Sequence, residues 1–556
     1  MRVAGENLLR CLGSGRRIRL RDNMIRIHRI RLGTPRKGNP NMSEQTMNDY
    51  WSRMRHRVLR AAALLMAFGM CGTVAFAQAA PSRFELGHRL RRLERSLEFR
   101  QELGDRAVVL PDMEGAVKAF FGMSPAGVAR SLDGAYSKLL LLDAQTLGDL
   151  GDGEQALLQE HVRVVLRGKR FLQGPRPLHL KFELADLYPA TSVEVEAVES
   201  EQGARKQITM AQVQLLAADG ALLASMQVPL TAGEFRLDLP EDLGQGDYTV
   251  RLDSRVGDVS VDVGRMQISW VADMEARLAK LEEQLAGTKT WGPDNRASVE
   301  FGLQTLRRAF SRQTSEMDLP ALRVLQQCEA LASHGEGLQR LSELGEEFWL
   351  SLRGQSKRGP KGRGFLRVFQ PDREAGELRP CVIALHGAGG SENLFFDGYG
   401  DGLVQKLCEQ RGWVLIAPRG GFTGIGLPFR RVLELLQEPL GIDPSRIFLV
   451  GHSMGVGSIA AALRESKEPS DPDYLGVAAI GGGMASTVGK KHLATPFLVV
   501  AGSHDFALGG ARALQRSLVD QEFKSRFVEL PQVEHMGVVQ FALPQVFEFF
   551  DACLQR

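Results

Sequence analysis

From residue 365 onward, short apolar runs alternate with longer amphipathic stretches. The runs are 381–385, 413–417, 447–450, 477–480, 496–501 and 527–530. Several are apolar on every residue, the condition of a strand covered on both faces and hence of a parallel strand between two layers of helices. Repeated strand–helix alternation of this kind predicts an open, doubly wound α/β sheet over 357–556.

The rest of the chain reads differently. At roughly 100–200 residues per domain, 556 residues make three or four domains. A composition of 44% hydrophobic and 24% charged residues excludes bulk disorder. Residues 81–176 read as helical, with Leu86, Leu90, Leu93 and Leu97 forming one apolar stripe. Between 177 and 271 the pattern switches to period two, in 178–184, 192–198, 211–215, 234–239 and 248–252. Turn signals such as Asp219-Gly220 separate these runs, which predicts a small antiparallel β-sandwich. Its run 246–252 resembles a late strand of an immunoglobulin-like or fibronectin-like domain. Residues 272–356 return to helix, with Met274, Leu278, Leu281 and Leu285 as a second stripe that could pair with the first. A glycine-rich basic stretch, 354–364, follows as a linker or an exposed turn into the next domain.

Residues 1–80 read as leader and signal peptide. Arg53, Arg55, Arg57 and Arg60 precede an uncharged run, 61–76, and then Ala75-Phe76-Ala77 and Ala77-Gln78-Ala79. These are a basic head, an apolar core and a small-residue cleavage site. The run of 16 residues, interrupted by Gly69 and Gly72, is short of the roughly 20 a bilayer span needs. Export to the periplasm or the medium is expected, with no stable membrane span after cleavage and with translation beginning at Met47 or Met54. Residues 1–60 hold fourteen Arg and one Lys against four acidic groups, so in a chain of net charge +3 the remainder carries −8. A mildly acidic body offers no basic face to nucleic acid. Cys328, Cys381, Cys408 and Cys553 lack metal-type spacing and are expected to be buried free thiols.

Candidate chemistry sits at the ends of the C-terminal strands. Gly451-His452-Ser453-Met454-Gly455 has the G-x-S-x-G form, which composition alone would produce about 0.4 times in a chain with 60 Gly. Its context is what makes it specific: an apolar strand precedes it and an alanine-rich helix follows. That strand–turn–helix projects a serine hydroxyl into a cleft and turns the next amide, at a helix N-terminus, toward developing negative charge. Leu385-His386-Gly387-Ala388-Gly389-Gly390, after an earlier strand, can bring a second amide to the same oxygen. The amides of Met454 and Ala388 are therefore the expected oxyanion hole. Asp505, at the end of a late strand, can orient an imidazole, and His535, after the last strand, can accept the serine proton. The order Ser453, Asp505, His535 is that of this hydrolase architecture. Asp471, Asp473, His504 and Glu534 are the competing titratable groups. Phe395, Phe396 and Tyr399, with Phe422 and Phe429, lie in loops after strands and are the candidate substrate-binding residues.

Residues 364–556 resemble the α/β-hydrolase superfamily, and within it the small esterases related to polyhydroxybutyrate depolymerases, feruloyl esterases and dienelactone hydrolases. The prolyl oligopeptidase catalytic domain is a more distant relative. PCVIALHGAGGSENLF, GIDPSRIFLVGHSMG, PFLVVAGSHD and VEHMG carry the resemblance; it departs at Val456, where many relatives have a second glycine. It implies a serine hydrolase that works through an acyl-enzyme without metal or other cofactor. The expected substrate is a carboxylic ester, polymeric and carbohydrate-linked esters included. Two alternatives stand beside this reading: a serine peptidase of the prolyl-oligopeptidase type, and a non-catalytic surface or carbohydrate-binding protein. The β region, about 95 residues, is short for a propeller of several four-stranded blades.

Overall fold

The computed structural model describes residues 80–555 except 99, 101, 149, 189–208, 312–316, 334–337, 339, 355–361, 373, 375, 421–426, 467–471 and 484–489. All lie in one of the chain's two units, Gln78–Arg556. The expected leader, the run 192–198, Phe422 and Asp471 fall outside the described residues.

Helices α1 (Arg83–Glu98), α2 (Leu103–Phe121), α3 (Pro125–Leu147) and α4 (Asp152–Arg163) come first. On α1, Leu93 and Leu97 are buried, but so are Arg89, Arg91, Arg92 and Glu94. This helix is therefore covered well beyond its leucine stripe. Its arginines are satisfied from inside: Arg89 donates to the carbonyls of Val164 (2.6 Å) and Val263 (3.2 Å), and Arg92 to the Asp133 carboxylate (2.5 Å). Tyr188 donates to the other Asp133 oxygen at 3.0 Å. Buried charge persists only with such partners.

Strands begin inside the stretch expected to be helical to 176, with β1 (Val164–Gly168) and β2 (Phe171–Gln173). At five and three residues they are too short to display a period. Then come β3 (His179–Asp186), β4 (Met210–Leu216), β5 (Leu222–Pro229), β6 (Gly233–Asp238), β7 (Gly246–Val256) and β8 (Val259–Val271). They form a three-stranded sheet, β1-β3-β6, and a five-stranded sheet, β2-β8-β7-β4-β5. Alternate residues of both sheets (Leu180, Phe182 and Leu184; Val213 and Leu215; Val250 and Leu252) share one core with Leu93, Met113 and Leu139 of the helices. Period-two burial against a helical layer accounts for the alternation read in the sequence.

Helices α5 (Met274–Gly287), α6 (Pro293–Phe310) and α7 (Ala321–Ser333) follow. The α5 stripe does not pair with that of α1. Met274, Leu278 and Leu281 enter a different core, shared with the C-terminal sheet. That sheet starts before 357, at β9 (Glu347–Arg353), and continues through β10 (Arg363–Phe369) and β11 (Arg379–Leu385). Strands β9 and β10 pair antiparallel from Arg353 opposite Arg363, so the basic stretch joins two strands of one sheet rather than two domains. The remaining elements are α8 (Tyr399–Glu409), β12 (Val414–Pro418), α9 (Phe429–Leu440), β13 (Ile442–His452), α10 (Met454–Glu465), β14 (Gly476–Ile480), β15 (Phe497–Gly502), α11 (Leu508–Asp520), β16 (Ser525–Leu530) and α12 (Val538–Leu554).

The eight strands run in the order β16-β15-β14-β13-β11-β12-β10-β9. Those from β16 to β12 are parallel, and β10 is antiparallel to both neighbours. Successive residues of the central strands divide between two cores. Ile383, Ile416, Leu449 and Val499 face α5–α7 and α9–α11, whereas Val382, Leu415, Val450 and Leu498 face α8 and α12. This is the doubly wound sheet of the α/β-hydrolase fold. Strand β11 has β12 on one side and β13 on the other, so connections leave in opposite directions and open a crevice at the carboxyl ends of the strands, where ligands bind in such sheets. Cys328, Cys381, Cys408 and Cys553 are buried, and none of them forms a disulfide among the described residues. Among the described residues no helix is long and apolar enough to cross a membrane.

Candidate active site

Ser453 stands between the end of β13 and the first residue of α10, with φ +54° and ψ −113°. A non-glycine residue rarely adopts that conformation, and the flanking glycines permit it. A Cβ on Gly455 would lie 2.0 Å from the Leu385 carbonyl oxygen, and one on Gly451 would lie 2.8 Å from the Gly455 carbonyl carbon. The turn can pass against β11 only without those side chains. Val456, at the departure from the resemblance, is buried in the core shared with α5–α7.

The structure brings Ser453, His535 and Asp505 together from three separate loops. His535 Nε2 is 3.0 Å from Ser453 Oγ, and His535 Nδ1 is 2.8 Å from Asp505 Oδ1. Oδ1 also accepts the Ala507 amide at 2.7 Å. A carboxylate on Nδ1 fixes the proton there and leaves Nε2 as the acceptor facing the hydroxyl. His535 and Asp505 are 8% and 4% exposed, so the pair is shielded from water. The competing groups are engaged elsewhere. His504 pairs with Glu114 at 2.8 Å, Asp473 with Lys491 at 3.8 Å, and Glu534 accepts the amides of Met536 (2.6 Å) and Gly537 (2.7 Å). Burial pushes Glu534 up to about 7, against the pull of those two amides.

The loop after β11 is held at several points. The ring of His386 contacts the Gly387 carbonyl through Nδ1 (2.7 Å) and accepts the Gly420 amide on Nε2 (2.9 Å). Arg83, at the start of α1, donates to the Gly389 carbonyl. The Gly387 amide donates to the Tyr399 hydroxyl at 3.1 Å, and that hydroxyl lies 2.8 Å from His452 Nδ1. Burial first, and then the charge of neighbouring His535, holds His452 far below the usual imidazole range. Among the described residues the amides of Ala388 and Met454 have no hydrogen-bond partner, which leaves both able to receive an oxyanion.

The expected substrate-binding residues are not a pocket wall. Phe395, Phe396 and Tyr399 are 1%, 3% and 7% exposed and belong to the core under α8 and α12; Phe429 is buried on the opposite face. The chain after β11 turns its aromatic residues inward because that face of the sheet needs cover. Tyr399 is a strut rather than a contact for substrate. It opens a run of left-handed residues, with φ of 24° at Tyr399, 68° at Gly400, 54° at Asp401 and 81° at Gly402. Arg95 of α1 pairs with Asp401 at 3.1 Å, so the N-terminal helix braces this run.

Beside His535 opens a cavity of about 440 Å³ lined by Glu114, Val117, Lys118, Phe121, His504, Phe506, Glu534 and His535. Half of its lining comes from α2, which the sequence marked only as helix. The adjacent Phe120 and Phe121 at the helix end, off any apolar stripe, were the one available signal.

No protein-family model matches the chain, and no curated protein does. Solved structures similar to it include a ferulic acid esterase, at 15% identity and TM-score 0.31, covering 37% of this chain and 98% of that one. An S-formylglutathione hydrolase from Agrobacterium tumefaciens is 14% identical with TM-score 0.28, covering 37% of this chain and 95% of that one. The feruloyl esterase module from Clostridium thermocellum is 12% identical with TM-score 0.29, covering 36% of this chain and 86% of that one.

Proposed function

We propose that the chain is an exported serine hydrolase that cleaves a carboxylic ester through an acyl-enzyme on Ser453. One observation carries the reading: a hydroxyl, an imidazole and a carboxylate in line at 3.0 and 2.8 Å, beside two unpartnered amides. In this reading His535 Nε2 removes the Ser453 proton as Oγ attacks the ester carbonyl, and Asp505 stabilises the imidazolium that forms. The oxyanion rests on the amides of Met454 and Ala388. When the tetrahedral intermediate collapses, His535 returns the proton to the leaving alcohol. Water, deprotonated by His535 in turn, then releases the acid. Export rests on the basic head, apolar run and small-residue site of residues 53–79.

Hydrolysis of p-nitrophenyl esters by residues 80–556, beside Ser453→Ala, tests the proposal. Turnover by the wild type that falls by several orders of magnitude in the variant is expected. Folded protein that cleaves a peptide but no ester would move the assignment to the peptidase.

A further inference from the structure

The C-terminal sheet holds the three reacting side chains, yet part of the surface next to them belongs to the other end of the chain. Resting on the ester-hydrolase reading, we propose that the C-terminal end of α2 is the specificity wall of the active site. Val117 and Phe121, with Phe506, hold the apolar half of the ester and favour an extended aliphatic group over a short one.

Exposed apolar side chains concentrate here. Phe120, Phe121, Met123 and Phe506 are 42%, 60%, 57% and 59% exposed. Isolated exposed apolar residues need no explanation, but a contiguous group marks a binding surface. The three phenylalanines are contiguous: Phe121 meets Phe120 at 5.4 Å and Phe506 at 5.3 Å, the latter edge to face at 89°. Phe506 in turn lies 4.1 Å from the ring of His535. The aromatic surface therefore runs without a break from solvent to the imidazole facing Ser453. Phe120 also reaches the oxyanion loop, with Cζ 3.4 Å from where a Cβ on Gly389 would stand.

The wall is fixed in place. Val109, Met113 and Ala116 bury the other side of α2 in the N-terminal core. Glu114 pairs with His504 at 2.8 Å, and the Arg106 guanidinium lies 4.0 Å from the centre of the Phe541 ring. The ion pair engages Glu114, and two amides engage Glu534. The apolar lining beside His535 is Val117, Phe121 and Phe506, and Lys118 adds one cation to the cavity. At about 440 Å³ it falls in the size range of small-molecule sites. An extended aliphatic chain matches an apolar surface of this kind.

The test is the rate at which Ser453 is modified by an ethyl and by an octyl fluorophosphonate, in wild type, Val117→Trp and Phe121→Ala. Filling the cavity at Val117 should lower the octyl-to-ethyl ratio tenfold or more. Removing the Phe121 ring should lower it about fivefold, the scale of one lost aromatic contact. Phe121 is largely exposed, so its variant decides the matter if Val117→Trp fails to fold. Ratios within twofold of wild type in the folded variants would overturn the wall while leaving the hydrolase reading standing. Wild type that neither probe modifies would overturn that reading, and the wall with it.

Discussion

Tyr399→Phe isolates a single hydroxyl that ties the loop after β11, the proposed oxyanion loop, to His452 beside Ser453. The ring stays, with its contacts to Phe395 at 4.8 Å and His452 at 5.2 Å, so the core under α8 is unchanged. What disappears is the acceptor of the Gly387 amide and the hydrogen-bond partner of His452 Nδ1, at 3.1 and 2.8 Å, both in buried surroundings. A buried polar group left unpaired costs about 1–3 kcal/mol, so two together cost about 2–6 kcal/mol of stability. Activity should fall by a separate route. Complete loss of one oxyanion donor lowers kcat about 10²–10³-fold, and a displaced Ala388 amide retains part of its contact, so about tenfold is expected. Urea unfolding gives the first quantity, and kcat with KM on a p-nitrophenyl ester gives the second. A tenfold lower kcat at a KM within twofold is the expected pair. Lower stability with kcat unchanged would refute a role in positioning the loop.

Other expectations follow from single contacts. Glu94 is buried in α1, and burial pushes its carboxyl from 4.5 up to about 7, with Asp401 adding to the shift. The folded protein therefore holds that proton where the unfolded chain releases it. This stability is present in full below pH 4.5 and is lost as pH rises to about 7, on the order of 3 kcal/mol; unfolding of Glu94→Gln from pH 4 to 8 should lack that fall, and an unchanged slope would contradict it. Asp133→Ala leaves Arg89, Arg92 and Tyr188 facing an empty site and should cost about 3–5 kcal/mol in urea unfolding. Ser453→Gly removes the side chain strained at φ +54° and should stabilise the fold by about 1–2 kcal/mol while abolishing turnover.

The C-terminal sheet was legible because its central strands are buried on both faces and so read as apolar runs. Each of the six runs falls on a strand from β11 to β16. Strands β9 and β10 close the far edge of the sheet, and β9 was absorbed into a helical stretch although 347–353 is mostly apolar. The meeting of Ser453, His535 and Asp505 was legible because each follows a strand, so its place in the fold is given by its place in the alternation. The pocket was not legible by the same logic. Aromatic residues after β11 look like lining, but the face of the sheet under α8 and α12 needs a core, and Phe395 and Phe396 help to supply it. The residues that do line the cavity come from α2, and no local pattern tells a helix that its end will meet a loop near residue 506. Buried arginines on α1 were hidden for a related reason. Their partners are carbonyls of β1 and β8 and a carboxylate on α3, which only tertiary structure brings near.

Trapping the covalent intermediate tests the central claim most directly. The chain is mixed with a p-nitrophenyl ester, quenched in acid within the first turnover, digested and mapped by mass spectrometry. An acyl group on Ser453, absent from Ser453→Ala and formed at the rate of the p-nitrophenol burst, is the predicted result. Release of p-nitrophenol with no acyl group on Ser453, or with one on another residue, would contradict the account.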